Sequence, residues 1–110
     1  MAYDSAFSPF GPTYKIGTSA IQVKASNNFY PTSYRIYNIT AGIVRVGWAP
    51  QEPNDATVTP SAATPTATGI SYVMSIPAST VQVFSGIPPN AWFISNTADS
   101  LEITPGEGKL

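Results

Sequence analysis

The side chains best suited to acid-base chemistry in this sequence are its carboxylates, because the chain contains neither histidine nor cysteine. A Ser-His-Asp triad and a thiolate nucleophile are therefore excluded. A glycosidase would need two carboxyl groups that face each other across a cleft. Asp99 and Glu102 lie three positions apart, and that offset places them on opposite faces of an extended strand. The sequence predicts a protein that is not an enzyme.

A proline- and threonine-rich segment at 50–69 permits one hypothesis about a metal. Glu52 and Asp55, with Asn54 between them, could supply oxygen ligands to calcium. Two acids without an EF-hand pattern are more often a solvated turn, so both interpretations stay open, and no cofactor is predicted. Asn38 begins the glycosylation sequon Asn-Ile-Thr, which we interpret as a coincidence because the N-terminal segment lacks the apolar run of a signal peptide.

The aromatic residues raise the possibility of carbohydrate recognition. Amphipathic rings suit half-exposed positions on a sheet, where they can stack on sugar rings. The candidates for such a platform are Trp48, Trp92, Tyr34, Tyr37 and Tyr72. The opposing interpretation, which we favour, places both tryptophans in the core.

The sequence predicts that strands position these side chains. Apolar and polar residues alternate along much of the chain, and apolar residues do not recur at the i, i+3, i+4 spacing of a helix over any useful length. The predicted strands lie within 14–17, 19–24, 33–39, 42–48, 70–76, 79–85, 91–96 and 100–105. The turn at 40–42 favours a hairpin between the third and fourth segments, with Val44, Val46 and Trp48 facing inward. Arg35 and Arg45 then lie on neighbouring strands, where each would pair with an acid or a partner surface. The fold class predicted is all-β: a single antiparallel, jelly-roll-like β-sandwich of seven or eight strands.

Two segments fall outside this pattern. Residues 1–13 are predicted to form an extended N-terminal arm, followed by the sandwich domain at 14–110. The arm aromatics are spaced among prolines and a glycine that prevent a regular helix, so the arm either closes the bottom of its own sandwich or docks on a partner. The loop at 50–69 is too polar to form part of a core. Three interpretations stay open for it: a clasp on a neighbouring subunit, a surface loop that projects outward, or a tolerated insertion without a function.

Composition favours protein partners. Charged residues make up 10% of the chain and the net charge is -1, without a basic cluster, so neither nucleic acid nor an anionic membrane is an expected partner. No stretch approaches the roughly 18 apolar residues of a spanning helix, and we expect synthesis in the cytoplasm. A neutral polar surface suits close contact with other protein. The predicted partner contacts are Tyr3, Phe7, Phe10, Pro50, Pro53, Pro60 and Pro65.

Three segments, "YRIYNITAGIVRVGWA", "SIPASTVQVFSGIPPNAWFIS" and "LEITPGEG", together resemble small structural proteins of tailed bacteriophages. The resemblance covers residues 14–108 and is to head decoration or cement proteins; similar patterns also occur in other head and tail accessories and in β-domains of fibres. It implies a jelly-roll-like domain that binds the major capsid protein on the outside of the expanded capsid and stabilises the shell. The protein would then reside in the virion after synthesis in the host cytoplasm.

The oligomer that the resemblance implies is cyclic, a homotrimer or a homodimer placed on the local symmetry axes of the capsid. The alternative function is a carbohydrate- or receptor-binding β-domain of a phage tail or fibre, or another binding module.

Overall fold

The computed structural model of the protein describes residues 7–26, 30–49 and 73–108. These ranges contain nine strands and no helix. The strands are β1 (Ser8–Pro9), β2 (Tyr14–Ile16), β3 (Ile21–Gln22), β4 (Ser33–Asn38), β5 (Val44–Ala49), β6 (Val73–Ile76), β7 (Val81–Ser85), β8 (Trp92–Ser95) and β9 (Leu101–Glu107). Strands β2 to β9 lie within or overlap the eight predicted segments, and β1 lies in the predicted arm.

The strands form two antiparallel sheets. In the five-stranded sheet, β1 and β2 lie end to end along one side of β9, β4 lies along the other side of β9, and β7 lies beyond β4. The four-stranded sheet has the order β3, β8, β5, β6. The pairings are nested, because β2 pairs with β9, β3 with β8, β4 with β7 and β5 with β6. A long hairpin wound over itself in this way is a jelly roll. The predicted antiparallel β-sandwich is confirmed.

The predicted hairpin between the third and fourth strand segments is wrong. β4 pairs with β7 and β9, whereas β5 pairs with β6 and β8 in the other sheet. The chain at 39–43 therefore crosses between the sheets. This path buries the inward faces of both strands, Tyr34, Ile36 and Asn38 from β4 and Val44 and Val46 from β5, against each other's sheet. If β4 and β5 formed a hairpin within one sheet, their inward faces would lie side by side and could not pack against each other across the core.

The core lies between the two inner faces. Its largest fully buried apolar side chains are Tyr34, Phe93, Ile16, Ile36, Ile76, Leu101, Ile103, Val23, Val44 and Val46. The Tyr34 ring meets the Phe93 ring edge to face, with centroids 5.0 Å apart, and so joins β4 of one sheet to β8 of the other. Such pairs add about 1 kcal/mol beyond the area they bury. The interior is filled by side chains from both sheets.

Asn38 is a buried polar residue that secures the crossover. Its Nδ2 donates to the carbonyl oxygens of Gly42, Ile76 and Pro77 at 2.9, 3.0 and 3.0 Å. Its Oδ1 accepts from the backbone N–H and the hydroxyl of Thr40 at 2.9 and 2.7 Å. The side chain thus ties the end of β4 to both the crossover and the end of β6. With all of its hydrogen-bonding groups engaged and no exposed surface, Asn38 is a structural residue, which agrees with our interpretation of the sequon as a coincidence.

Candidate interaction surfaces

The described part of the predicted arm, residues 7–13, docks on its own domain. β1 pairs with the last residues of β9, and the half-buried ring of Phe7 lies against Gly106. Phe10 is also half-buried; its N–H donates to the carbonyl of Pro105 at 2.8 Å, and its own carbonyl accepts from Ser26 at 2.7 Å. Of the two predicted paths for the arm, these residues take the one within the same chain. Contact of Phe7 or Phe10 with a partner stays a prediction.

The other predicted partner contacts lie outside the described residues. They are Tyr3, Pro50, Pro53, Pro60 and Pro65. The same holds for the calcium hypothesis, since Glu52, Asn54 and Asp55 belong to the same undescribed range.

The carboxylates of the described ranges do not converge. Asp99 sits in the exposed turn between β8 and β9, with a φ of 49°. Glu102 lies on the outer face of the five-stranded sheet, between Lys15 of β2 and Tyr37 of β4. Within the described ranges, no three His, Cys, Asp or Glu side chains are grouped closely enough to hold a metal ion.

A shallow pocket opens beside Asp99. It has a volume of about 220 Å³ and is lined by Lys15, Gly17, Thr18, Ser19, Ile21, Ala98 and Asp99. Pockets that enclose small molecules are typically larger, from roughly 300 Å³, and mostly apolar. This one lies between two surface turns and supplies one cation and one anion, so it offers little for a specific ligand.

The four described members of the predicted aromatic platform do not share one surface. Tyr34 is in the core, Trp48 packs half-buried against the core, and Tyr37 lies on the outer face of the opposite sheet. Tyr72 lies outside the described residues. Trp92 is 38% exposed, so the expectation that both tryptophans are in the core is wrong for this one. The cause is the alternation along β8, in which Phe93 and Ser95 face inward and Trp92 faces outward.

Trp92 belongs to a surface with little charge, which we call the tryptophan face. It is the outer face of the four-stranded sheet, and its half-exposed or exposed side chains are Gln22, Arg45, Val73, Ser75, Trp92 and Ile94. Arg45 is its one charged side chain, and the buried Nε of this arginine has no hydrogen-bond acceptor among the described residues. The outer face of the other sheet carries Lys15, Arg35 and Glu102 instead. Tryptophan and arginine are enriched at the centre of protein interfaces, where charged residues as a class are scarce.

A buried tyrosine holds the loop beneath Trp92. The Tyr34 hydroxyl donates to the Pro88 carbonyl at 2.8 Å and accepts from the Ala91 N–H at 3.2 Å. Burial raises the pKa of the Tyr34 phenol, and hydrogen bonds with the backbone of Ala91 and Asn90 offset part of that rise. The phenol therefore stays neutral at physiological pH, and its two hydrogen bonds connect β4 to the segment that leads into β8.

Comparison with known proteins adds no identification. No protein family model, no curated protein sequence and no solved structure matches the chain. In the ranges that the structure describes, no helix is long and apolar enough to cross a membrane.

Proposed function

We propose that this chain is a non-enzymatic structural protein of a tailed-phage virion, a decoration or cement protein that binds the outer surface of the expanded capsid. The observation that carries the proposal is the tryptophan face, an exposed tryptophan on a sheet surface with one charged side chain. The occupant of this face is the major capsid protein. The likeness of three sequence segments to phage decoration proteins supports that choice of partner.

The fold is compatible with this function without specifying it. Jelly rolls are frequent in viral capsid proteins and in lectins, and a fold alone does not determine function. A small rigid sandwich suits a lattice-binding subunit, because the same shallow contact is repeated over a symmetric surface. The low charge of the chain, 10% of its residues, reduces the desolvation cost of flat contact with another protein.

Stabilisation of the capsid follows from selective binding. A protein that binds the expanded shell but not the unexpanded one lowers the free energy of the expanded state by mass action. No covalent chemistry is required. The Trp92 ring would act as an anchor on the capsid surface, and the side chains around it would exclude water from the contact.

Co-sedimentation tests the proposal. Capsids of the phage that encodes this chain, assembled without it and then expanded, should bind the purified protein to saturation at a whole-number ratio to the major capsid protein, while unexpanded capsids should not bind. Trp92→Ser should weaken binding by about tenfold or more, since truncation of an interface tryptophan commonly costs over 1.4 kcal/mol. Tyr37→Ser, which removes a half-buried aromatic ring from the opposite outer face, is the matched control and should bind like the wild type.

Fluorescence locates the contact independently. The chain has two tryptophans, so Trp48→Phe leaves Trp92 as the sole indole. Its emission should shift to the blue and resist quenching when expanded capsids are added. Binding without any change at Trp92 would remove the tryptophan face from the proposal and return the contact to the arm and the 50–69 loop.

The exposed Trp92 also favours a second candidate, a carbohydrate- or receptor-binding domain. A single half-exposed indole can stack on one sugar ring. A glycan array with the wild type and Trp92→Ser distinguishes the two functions, because a sugar-binding domain would show Trp92-dependent glycan signals and no whole-number stoichiometry on capsids.

A further inference from the structure

Among the described residues, β7 forms an outer edge of the five-stranded sheet. β7 pairs with β4 on one side and has no strand on its other side within the described residues. Edge strands of this kind present a row of backbone N–H and C=O groups that can template pairing with another chain. All five of its residues are at least partly exposed, as expected for an edge.

The hydrogen-bond pattern identifies which backbone groups face outward. In an antiparallel sheet, alternate residues direct their N–H and C=O groups to opposite neighbours. The backbone N–H of Asn38 in β4 donates to the carbonyl oxygen of Thr80 at 2.9 Å. The backbone N–H and C=O groups of Thr80, Gln82 and Phe84 therefore point toward β4. The outward groups therefore belong to Val81, Val83 and Ser85, and no hydrogen bond within the described part of the chain reaches them.

The edge strand itself carries no charged side chain, and the charged residue in register with it is Arg35 of β4, opposite Val83. Between residues 56 and 98 the sequence has no Asp, Glu, Lys or Arg, and this range includes β6, β7 and β8. Soluble proteins usually protect an exposed edge with lysine, proline, a bulge or a very short strand. β7 has none of these devices, since it is a five-residue strand of sequence VQVFS.

We propose that this edge is a self-association surface, on which β7 of a second copy of the chain pairs antiparallel with β7 about a two-fold axis at Val83. The pairing is self-complementary. Val83 faces Val83 of the second copy, and Val81 faces Ser85 of the second copy on either side. All three residues with outward groups are then matched in the hydrogen-bonded register, and six backbone hydrogen bonds would close the contact.

The side chains are compatible with the same register. Val83 lies on the outer face, because it is paired with the half-buried Arg35 while its neighbour Phe84 packs against the core. Two valines would therefore meet across the axis on the outer face. On the inner face Gln82 would meet Phe84 of the second copy. Two β-branched side chains suit the pleated surface at the axis, and no like charges oppose each other across the contact.

The inference concerns the free chain in solution and does not depend on the proposed capsid function. It selects a dimer with an isologous contact from the two oligomers implied by the resemblance. A strand from a different protein could occupy the same edge, but the match of the edge to its own inverted copy favours the homodimer.

Charged substitutions of Val83, the residue at the two-fold axis, test the proposal. The wild-type chain should sediment with the mass of a dimer at high micromolar concentration. Val83→Lys and Val83→Glu each place like charges opposite one another, and each should raise the dimer dissociation constant about a hundredfold. An equimolar mixture of the two variants should restore dimers, because only in this register does residue 83 face residue 83. Ser8→Lys, an exposed position at the other edge of the same sheet, should dimerise like the wild type.

A wild type that stays monomeric or forms trimers, single variants that still dimerise, or a mixture without recovery would overturn the proposal. Circular dichroism shows whether each variant is folded. If both variants unfold, amide exchange of the wild type decides: slower exchange at Val81, Val83 and Ser85 with rising concentration supports the dimer, and unchanged exchange refutes it.

Discussion

The two edges of the five-stranded sheet are built differently. At one edge, β1 and β2 form an interrupted strand along β9, and the residues whose backbone points away from β9 are Pro9, which has no N–H, and the charged Lys15. At the other edge, β7 is continuous, free of proline and uncharged. Proline and lysine are the usual means of preventing edge pairing. The comparison indicates that the sheet is closed to extension on the side of the arm and open to it on the side of β7.

The largest expected effect comes from the buried amide that ties the end of β4 to the end of β6 and to Pro77, in the segment that leads to the open edge. Asn38→Asp replaces an amide that donates to three carbonyl oxygens with a carboxylate that repels them. We expect the free energy of unfolding to fall by about 3 kcal/mol or more, because the buried site would hold an unpaired charge. Urea denaturation measures the loss.

A second asparagine provides the control for that substitution. The Asn96 side chain uses its Oδ1 to accept from the backbone N–H of Arg45 at 2.9 Å and from the Thr97 hydroxyl at 3.2 Å. An aspartate can accept the same bonds, so Asn96→Asp should change stability by less than about 0.5 kcal/mol. Equal losses for the two substitutions would contradict the role assigned to the Asn38 amide.

The next effect concerns the closed edge. A Cβ at Gly106 would overlap the carbonyl oxygen of Ser8 and the ring of Phe7, so Gly106→Ala should push β1 away from β9. We expect a loss of about 2 kcal/mol and faster proteolysis at 7–13. Gly42→Ala adds a Cβ with no heavy atom within 4 Å and should be neutral. Unchanged proteolysis of the Gly106 variant would show that the arm is not held by this contact.

Tyr34 gives a smaller effect with a defined pH dependence. Tyr34→Phe removes the bonds to Pro88 and Ala91 and should cost about 1 kcal/mol at pH 7. The folded-state pKa is raised above the unfolded value of 10.0, so the contribution of the phenol is complete below that value and is lost as pH rises through the folded pKa. Urea denaturation from pH 8 upward should show a steeper decline in the wild type than in Tyr34→Phe. Tyr37→Phe should keep the steep decline.

The smallest effect on stability comes from removing the protection of the closed edge. Pro9→Val combined with Lys15→Val gives that edge an N–H and removes its charge. Stability should change by less than about 1 kcal/mol, since both residues are exposed. Association should grow beyond the dimer, because each copy would then have two open edges. Sedimentation of this variant alongside Lys24→Val, an exposed lysine outside the strands, separates edge protection from a general loss of charge.

The strands could be predicted from sequence because alternation and turn residues are local signals. Their partners could not, since the turn at 40–42 fits a hairpin as well as the crossover that Asn38 secures through distant carbonyls of Ile76 and Pro77. Trp92 illustrates a similar limit, because a register shift of one residue would exchange it with Phe93 in the core. The arm aromatics were expected to dock somewhere, but only the pairing of β1 with β9 shows that Phe7 rests on Gly106 of the same chain.

The difference between the two edges is tested most directly by residue-resolved amide hydrogen exchange of the wild-type protein at low micromolar and at millimolar concentration. We predict that exchange at Val81, Val83 and Ser85 slows at the higher concentration, while the outward amide of Lys15 exchanges at the same rate in both samples. Equal behaviour at the two edges, with either both protected or neither, would contradict the account of one closed and one open edge.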